Sequence, residues 1–175
     1  MIFSKIQTER LELIPITEEH CNAELSLPVL EVLLEARIPE AWPPELVTEG
    51  VVSEFIQLLT SPGGSRFFAY YWVKTDKHGS DKRVLVGSGG FMVGDDGVLE
   101  LGYSVIGEFQ GHGYATEAVR AMIEWAFTFF DNPSIYAATF PKSFASIRVL
   151  EKTGFMHAGP GRDPETIAYL LNKIL

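Results

Sequence analysis

Cysteine is almost absent from this 175-residue chain. Cys21 stands alone, so no disulfide can form within it. A reducing compartment, the cytoplasm, is the expected home of such a sequence. Basic residues are scarce as well: 14 Lys and Arg face 23 Asp and Glu, for a formal net charge of −9. Nucleic-acid binding relies on clustered cations that neutralise phosphates, so this balance argues against a nucleic-acid partner. It suits a cationic partner such as an amine, although acidity equally serves solubility alone. Long hydrophobic runs are missing too. No stretch reaches the roughly 18 uncharged apolar residues of a membrane span. Residues Met1 to Arg10 contain no apolar core of a secretion signal, so neither signal peptide nor membrane partner is expected. Internal repeats and low-complexity linkers are also lacking.

What is present is an ordinary globular composition, 46% hydrophobic and 21% charged. The length suits one domain, residues 1–175, with a sizeable core. Arg10 to Ile16 alternates polar and apolar residues and predicts a strand. Thr17-Glu18-Glu19 carries a cap and early acids, a helix start. Glu31 to Arg37 predicts a second helix. Three prolines within Ile38 to Pro44 must interrupt regular structure, and Glu45 to Thr60 resumes helical spacing until Ser61-Pro62-Gly63-Gly64.

Three strands are then predicted, at Phe67 to Lys74, Val84 to Met92 and Val98 to Val105. Gly87, Gly89 and Gly90 break the second. Polar turns at Asp76 to Lys82 and Gly94-Asp95-Asp96-Gly97 make the three an antiparallel meander. The pattern next becomes helical over Tyr114 to Phe130, extended over Ile135 to Phe140, and helical over Ser143 to Thr153. Gly154 closes that last helix, and Ile167 to Leu171 predicts a final strand. The strand-helix-strand unit at 98–140 favours parallel pairing. The expected architecture is an α/β sandwich, a mixed sheet with helices on both faces.

Chemistry is concentrated in the connection Ile106-Gly107-Glu108-Phe109-Gln110-Gly111-His112-Gly113. Its three glycines permit a tight turn and close approach of a ligand. A helix N-terminus leaves backbone N–H groups unpaired and partly positive. No Ser, Thr, Asp or Asn stands immediately before the helix, so those donors are free for an anion, most simply a phosphate. Glu117 lies in the first helical turn and must point away from such an anion. A glycine-rich connection with no ligand is the plainer alternative. Two sharper nucleotide motifs fail: no Lys-Ser/Thr follows the glycines as a P-loop requires. Thr116 stands where a dinucleotide fingerprint needs Gly or Ala.

Gln110-x-x-Gly113-x-Ala115 matches the Gln/Arg-x-x-Gly-x-Gly/Ala signature, and the chain thereby resembles the GNAT superfamily of acetyltransferases. Glu100-Leu101-Gly102-Tyr103 and Gly113-Tyr114-Ala115-Thr116-Glu117-Ala118 are similar to the ribosomal-protein N-acetyltransferase branch. Ala145-Ser146-Ile147-Arg148-Val149-Leu150-Glu151-Lys152-Thr153-Gly154-Phe155 resembles that branch's second block, and Thr8-Glu9-Arg10-Leu11 its opening strand. The likeness spans about residues 8–156, with the motifs in the family's order.

The resemblance implies a GNAT fold, an α+β arrangement whose mostly antiparallel sheet splays at the cofactor site. It implies acetyl-CoA as cosubstrate, with the pyrophosphate held around Gln110, Gly111, His112, Gly113, Tyr114, Ala115 and Thr116. Tyr103, Ser104 and Val105 would hydrogen-bond the pantetheine as an added strand, splaying from Ile135 to Ala138. A backbone N–H near Val105 or Ile106 would polarise the thioester carbonyl. Ser143 occupies a position where the family usually has Asn; it can still cap a helix, with shorter reach. Ser146 resembles the serine that faces the thioester sulfur, where it can pass a proton; helix capping or packing is the alternative.

Glu100 lies inside an apolar strand, so its carboxylate must reach a cleft, a partner or water. Partial burial would make it a base for the substrate ammonium. An edge carboxylate without catalytic work is the alternative. Tyr103 and Tyr114 read as packing and ligand-lining residues. His20, His78, His112 and His157 lack ligand spacing, so no metal is expected. Cys21 reads as a small core hydrophobe. Trp42, between proline breaks, is the candidate for an acceptor pocket. The expected function is transfer of acetyl to a primary amine, either a protein N-terminus or a small molecule. A non-catalytic acyl-CoA-binding module and a dinucleotide-binding oxidoreductase domain are the rivals. Homodimerisation is left open.

Overall fold

The computed structural model describes residues 4–24, 26–43, 49–61, 66–75, 83–131 and 133–172. Along the chain run β1 (Ile6–Gln7), β2 (Leu11–Pro15), α1 (Glu18–Ala23), α2 (Leu27–Leu34) and α3 (Glu49–Leu59). They are followed by β3 (Phe67–Lys74), β4 (Val84–Val93), β5 (Leu99–Val105), a short 3₁₀ turn (Gly107–Phe109) and α4 (Tyr114–Phe129). Last come β6 (Ser134–Thr139), α5 (Phe144–Lys152), β7 (Met156–Pro160) and β8 (Ile167–Asn172).

Local signals explain most boundaries. Thr17 caps α1 through a reciprocal box, its hydroxyl accepting from the His20 N–H while the His20 ring accepts from the Thr17 N–H. The second helix begins earlier than its periodicity predicts, with Pro28 in its first turn. It also ends earlier, because Glu35 turns left-handed at φ 49° and releases the chain. Arg37 therefore leaves the helix and bridges Val84 in parallel. The third helix ends at Leu59, just before the predicted stop at 61–64, of which residues 62–64 lie outside the described residues, as does the predicted turn at 76–82. So do residues 44–48, at the start of the predicted third helix.

Eight strands among the described residues form one sheet in the order β1-β2-β3-β4-β5-β6-β8-β7. The predicted meander is present as antiparallel β3-β4-β5, and β5 pairs β6 in parallel as the strand-helix-strand spacing predicts. Strands β1 and β7 escape sequence reading. β1 has only two residues, and β7 has no buried position to create an alternation.

Both faces are covered. Leu11, Leu13, Trp72 and Phe91 pack with Val119, Met122 and Ala126 of α4 and Leu150 of α5. The opposite face packs Ile14, Tyr71 and Leu85 against Leu30 and Leu34 of α2 and Phe55 of α3. No helix among the described residues is long and apolar enough to cross a membrane.

The glycines of β4 do not break it; the strand is continuous through Gly87, Gly89 and Gly90. A Cβ on Gly89 would lie 2.6 Å from the Tyr103 Cβ and 2.7 Å from Trp72 Cζ2. The bare strand lets Trp72 of β3 and Tyr103 of β5 stack across it, with centroids 6.3 Å apart. That stacking fixes the Tyr103 ring on the face that carries α4 and α5.

Candidate functional site

The ladder between β5 and β6 contains only Leu99 opposite Ile135 and Glu100 opposite Tyr136. Beyond these pairs the strands diverge, although β5 continues to Val105 and β6 to Thr139. A notch opens between them. The Ile106 N–H donates to the Val86 carbonyl at 2.9 Å. Alternation along an antiparallel ladder then turns the N–H and C=O groups of Tyr103 and Val105 the other way, towards the notch. Ile106 is thereby removed as a carbonyl-polarising donor, because its N–H is already bonded within the sheet; Val105 keeps that geometry.

At the open end of the notch the chain turns into α4. Gly111 and Gly113 have φ of 78° and 83°, left-handed values that favour glycine. Gly113 takes the N-cap position with no side-chain cap. None of the N–H groups of residues 111–116 finds an acceptor among the described residues. They are the unpaired donors of a helix start, gathered into one turn.

Neighbouring side chains brace this turn. Gln110 Nε2 donates to the Val105 carbonyl at 3.0 Å. The His112 Nδ1 lies 2.9 Å from the Gln110 carbonyl, and its exposed ring stacks on Tyr114. Tyr114 itself is buried.

Arg10 is the brace that sequence reasoning missed. Its Nη1 donates to the His112 carbonyl at 2.9 Å, and its guanidinium lies over the Tyr114 ring, 4.8 Å from the centroid. Its Nε and backbone N–H both reach the Glu117 carboxylate at 2.7 Å, and the Thr8 hydroxyl donates to Glu117 at 2.6 Å. Glu117 therefore points away from the turn, as the first-turn acid must if an anion is to bind. The only sequence signal was the Thr-x-Arg pattern, whose partner lies 107 residues away.

Burial of the Glu117 carboxyl opposes its ionisation. The Thr8 and Arg10 hydrogen bonds and the Arg10 charge outweigh that and hold its pKa below 4.5. A depressed carboxyl pKa contributes stability above 4.5 that is lost as pH falls through the folded value. Stability of the wild type is expected to drop more steeply than that of Glu117→Gln as pH falls below 4.5. Thermal melts of the two proteins across that range check this; parallel curves would refute it.

Tyr103 and Ser146 meet on the α5 side of the notch, with hydroxyl oxygens 3.0 Å apart. Burial pushes the Tyr103 phenol up, against the smaller lowering effect of the Ser146 hydrogen bond, so Tyr103 remains a proton carrier at neutral pH. Ser143 holds the N-cap position of α5, but its hydroxyl makes no capping bond. Glu100 and Ser104 alternate with Leu101 and Tyr103, so they lie on the other face. Glu100 is 35% exposed, and Arg162 Nη1 approaches its carboxylate at 3.6 Å. Arg162 is held there by Asp96 at 2.8 Å and by stacking over Tyr136. Sequence reading gave no hint of Arg162, which comes from the loop between β7 and β8. Glu100 and Ser146 thus flank the notch from opposite faces.

Trp42 is 4% exposed and packs edge-on to Tyr71, on the same face as Glu100. Cys21 is buried nearby; desolvation, with Glu24 and Glu18 adding to it, pushes its thiol up to about 11.

Comparison with known proteins gives the family and the fold. A model of the acetyltransferase (GNAT) domain matches residues 10–156. An uncharacterized N-acetyltransferase, p20, of Bacillus licheniformis is 30% identical over 114 residues, covering 64% of this chain and 60% of that protein. The match therefore spans less than two thirds of that relative. Among solved structures, the ribosomal-protein-S5-alanine acetyltransferase of Vibrio fischeri is 20% identical with a TM-score of 0.67. It covers 98% of this chain and 97% of its own. A RimL ribosomal L7/L12 α-N-protein acetyltransferase, solved with coenzyme A, is 18% identical with a TM-score of 0.62 and covers 97% and 98%. From the signature turn, the parted strands and the family match, the chain belongs to the GNAT family of acetyltransferases.

Proposed function

We propose that this protein transfers the acetyl group of acetyl-CoA to a primary amine by direct attack within a ternary complex. The observation that carries this is the set of unpaired N–H groups at 111–116, opening onto the notch between β5 and β6. A pyrophosphate satisfies such donors, and the helix dipole favours its charge. The backbone groups of Tyr103 suit an amide of an extended pantetheine, which leaves the Val105 N–H for the thioester. Ser104, Ala115, Thr116 and Ser143 would complete the cofactor's lining from the edges of β5, α4 and α5.

In the reaction, Glu100 takes a proton from the acceptor ammonium, directly or through water. The freed amine attacks the thioester carbon, whose oxygen is stabilised by the Val105 N–H. A C–N bond forms, the C–S bond breaks, the thiolate takes a proton from the Tyr103–Ser146 pair, and the second nitrogen proton, lost as the amide forms, returns to that pair through water. Positioning of the two substrates supplies much of the rate, and no covalent enzyme intermediate is needed.

Release of free CoA from acetyl-CoA, measured against a panel of peptide and small amines, tests the reading. Turnover that requires an amine supports it. Tight acetyl-CoA binding without acetylation of any amine would instead favour an acyl-CoA-binding module.

A further inference from the structure

On the face that carries Glu100, a cavity of about 20 Å³ lies between α1, α3 and the sheet. Glu24, Trp42, Phe55, Tyr71 and Ser88 are among the residues that line it. Glu24 stands just beyond the last turn of α1 and turns its carboxylate inward. One oxygen accepts from the Tyr71 hydroxyl at 2.5 Å and the other from Trp42 Nε1 at 2.8 Å. Both donors are neutral. Burial, together with Glu24 itself, pushes the Tyr71 phenol well above its usual range, so it stays a donor. No Lys or Arg among the described residues pairs with Glu24. The ring of His20 lies 5.8 Å from that of Tyr71, and burial pushes its pKa down, against formation of a cation there. The result is a fixed carboxylate, walled by aromatic rings, with no compensating cation. Two hydrogen bonds leave acceptor capacity on a carboxylate, which a cation beside it can use.

We propose that Glu24, Trp42, Phe55 and Tyr71 form a subsite for a primary ammonium group, and that the acceptor is a small diamine held by one end. This rests on the acetyl-transfer reading above. The chemistry fits: a carboxylate neutralises the ammonium, and the aromatic side chains around it keep water out. Size fits as well. A cavity of this volume holds about one water-sized group, the size of an ammonium head. Position fits last. Tyr71 pairs with Ser88, and Ser88 with Ser104, so the three side chains form one row across β3, β4 and β5. Two strand spacings, roughly 10 Å, separate the cage from the edge of the notch. An extended aliphatic diamine bridges that span, placing its second nitrogen beside the thioester on the face where Glu100 stands. The net charge of −9 draws such a dication in.

The test compares hexamethylenediamine with hexylamine, which has the same chain and lacks the second ammonium. Wild type is expected to favour the diamine in kcat/KM by about tenfold or more. In Glu24→Gln the diamine KM rises by a similar factor, while the KM values for hexylamine and acetyl-CoA hold. Glu24→Asp, which keeps the charge, retains part of the preference. Equal treatment of both amines by wild type overturns the subsite, as does an equal loss for both in Glu24→Gln. A peptide acceptor that outcompetes the diamine independently of Glu24 overturns it too. Calorimetry with CoA bound separates the two levels of the argument. If no amine is acetylated, the transfer reading fails, yet diamine binding that disappears in Glu24→Gln still supports the subsite. Equal binding of both amines sinks it.

Discussion

Gly113→Asp is expected to weaken acetyl-CoA binding by about 100-fold, roughly 2.7 kcal/mol, in a protein that still folds. Folding should survive for two reasons. Asp tolerates left-handed backbone better than most residues. A Cβ at this position meets only Arg10 Nη2, at 3.4 Å, so there is room for the side chain. The new carboxylate stands beside N–H groups that are otherwise unpaired and blocks close approach of a ligand to them. It also places a negative charge where the pyrophosphate would lie. Gly113→Asn repeats the shape without the charge, and Gly113→Ala repeats only the backbone strain; both should lose less affinity. Calorimetric titration with acetyl-CoA, alongside circular dichroism, decides the matter. Unchanged affinity in folded Gly113→Asp would remove the turn from the binding site.

The second large effect concerns turnover. Glu100→Gln is expected to lower kcat by about 100-fold, within the range general bases contribute, while acetyl-CoA affinity stays within about twofold. Glu100 pairs with Tyr136 at the last rung before β5 and β6 part, and its carboxylate is partly open to solvent. A proton taken there can leave to water. The face is the one opposite Tyr103 and Ser146, so the group that accepts a proton and the groups that donate one do not compete. Gln keeps the size and one acceptor oxygen but cannot take the proton. Stopped-flow turnover with a saturating amine measures the change. A kcat unaltered by the substitution would leave Glu100 as an anchor for Arg162 and nothing more.

Several of these features were legible in the residue order, and others could not have been. The meander, the parallel return through α4 and the uncapped glycine turn are local matters. Each depends on periodicity or turn chemistry within about a dozen residues, which is the range that backbone propensity and capping act over. Glu35 misled the reading of α2 because a left-handed residue that is not glycine carries no sequence mark. The glycines of β4 misled it too: in isolation they look like breaks, and only the rings of Trp72 and Tyr103 on either side explain them. Strand β7 had no apolar alternation to reveal it.

For the turn at 110–115 the division is plain. By itself the sequence determined that a helix would start there without a cap, leaving donors for an anion, because glycine spacing and the absence of a capping side chain are local facts. Tertiary structure alone decided what surrounds those donors. Arg10 and Glu117 meet although they stand 107 positions apart, Tyr103 and Ser146 43 apart, and Tyr71 and Glu24 47 apart. Such contacts arise from how strands and helices stack, and side chains distant along the chain become neighbours only once the sheet has closed around its two cores.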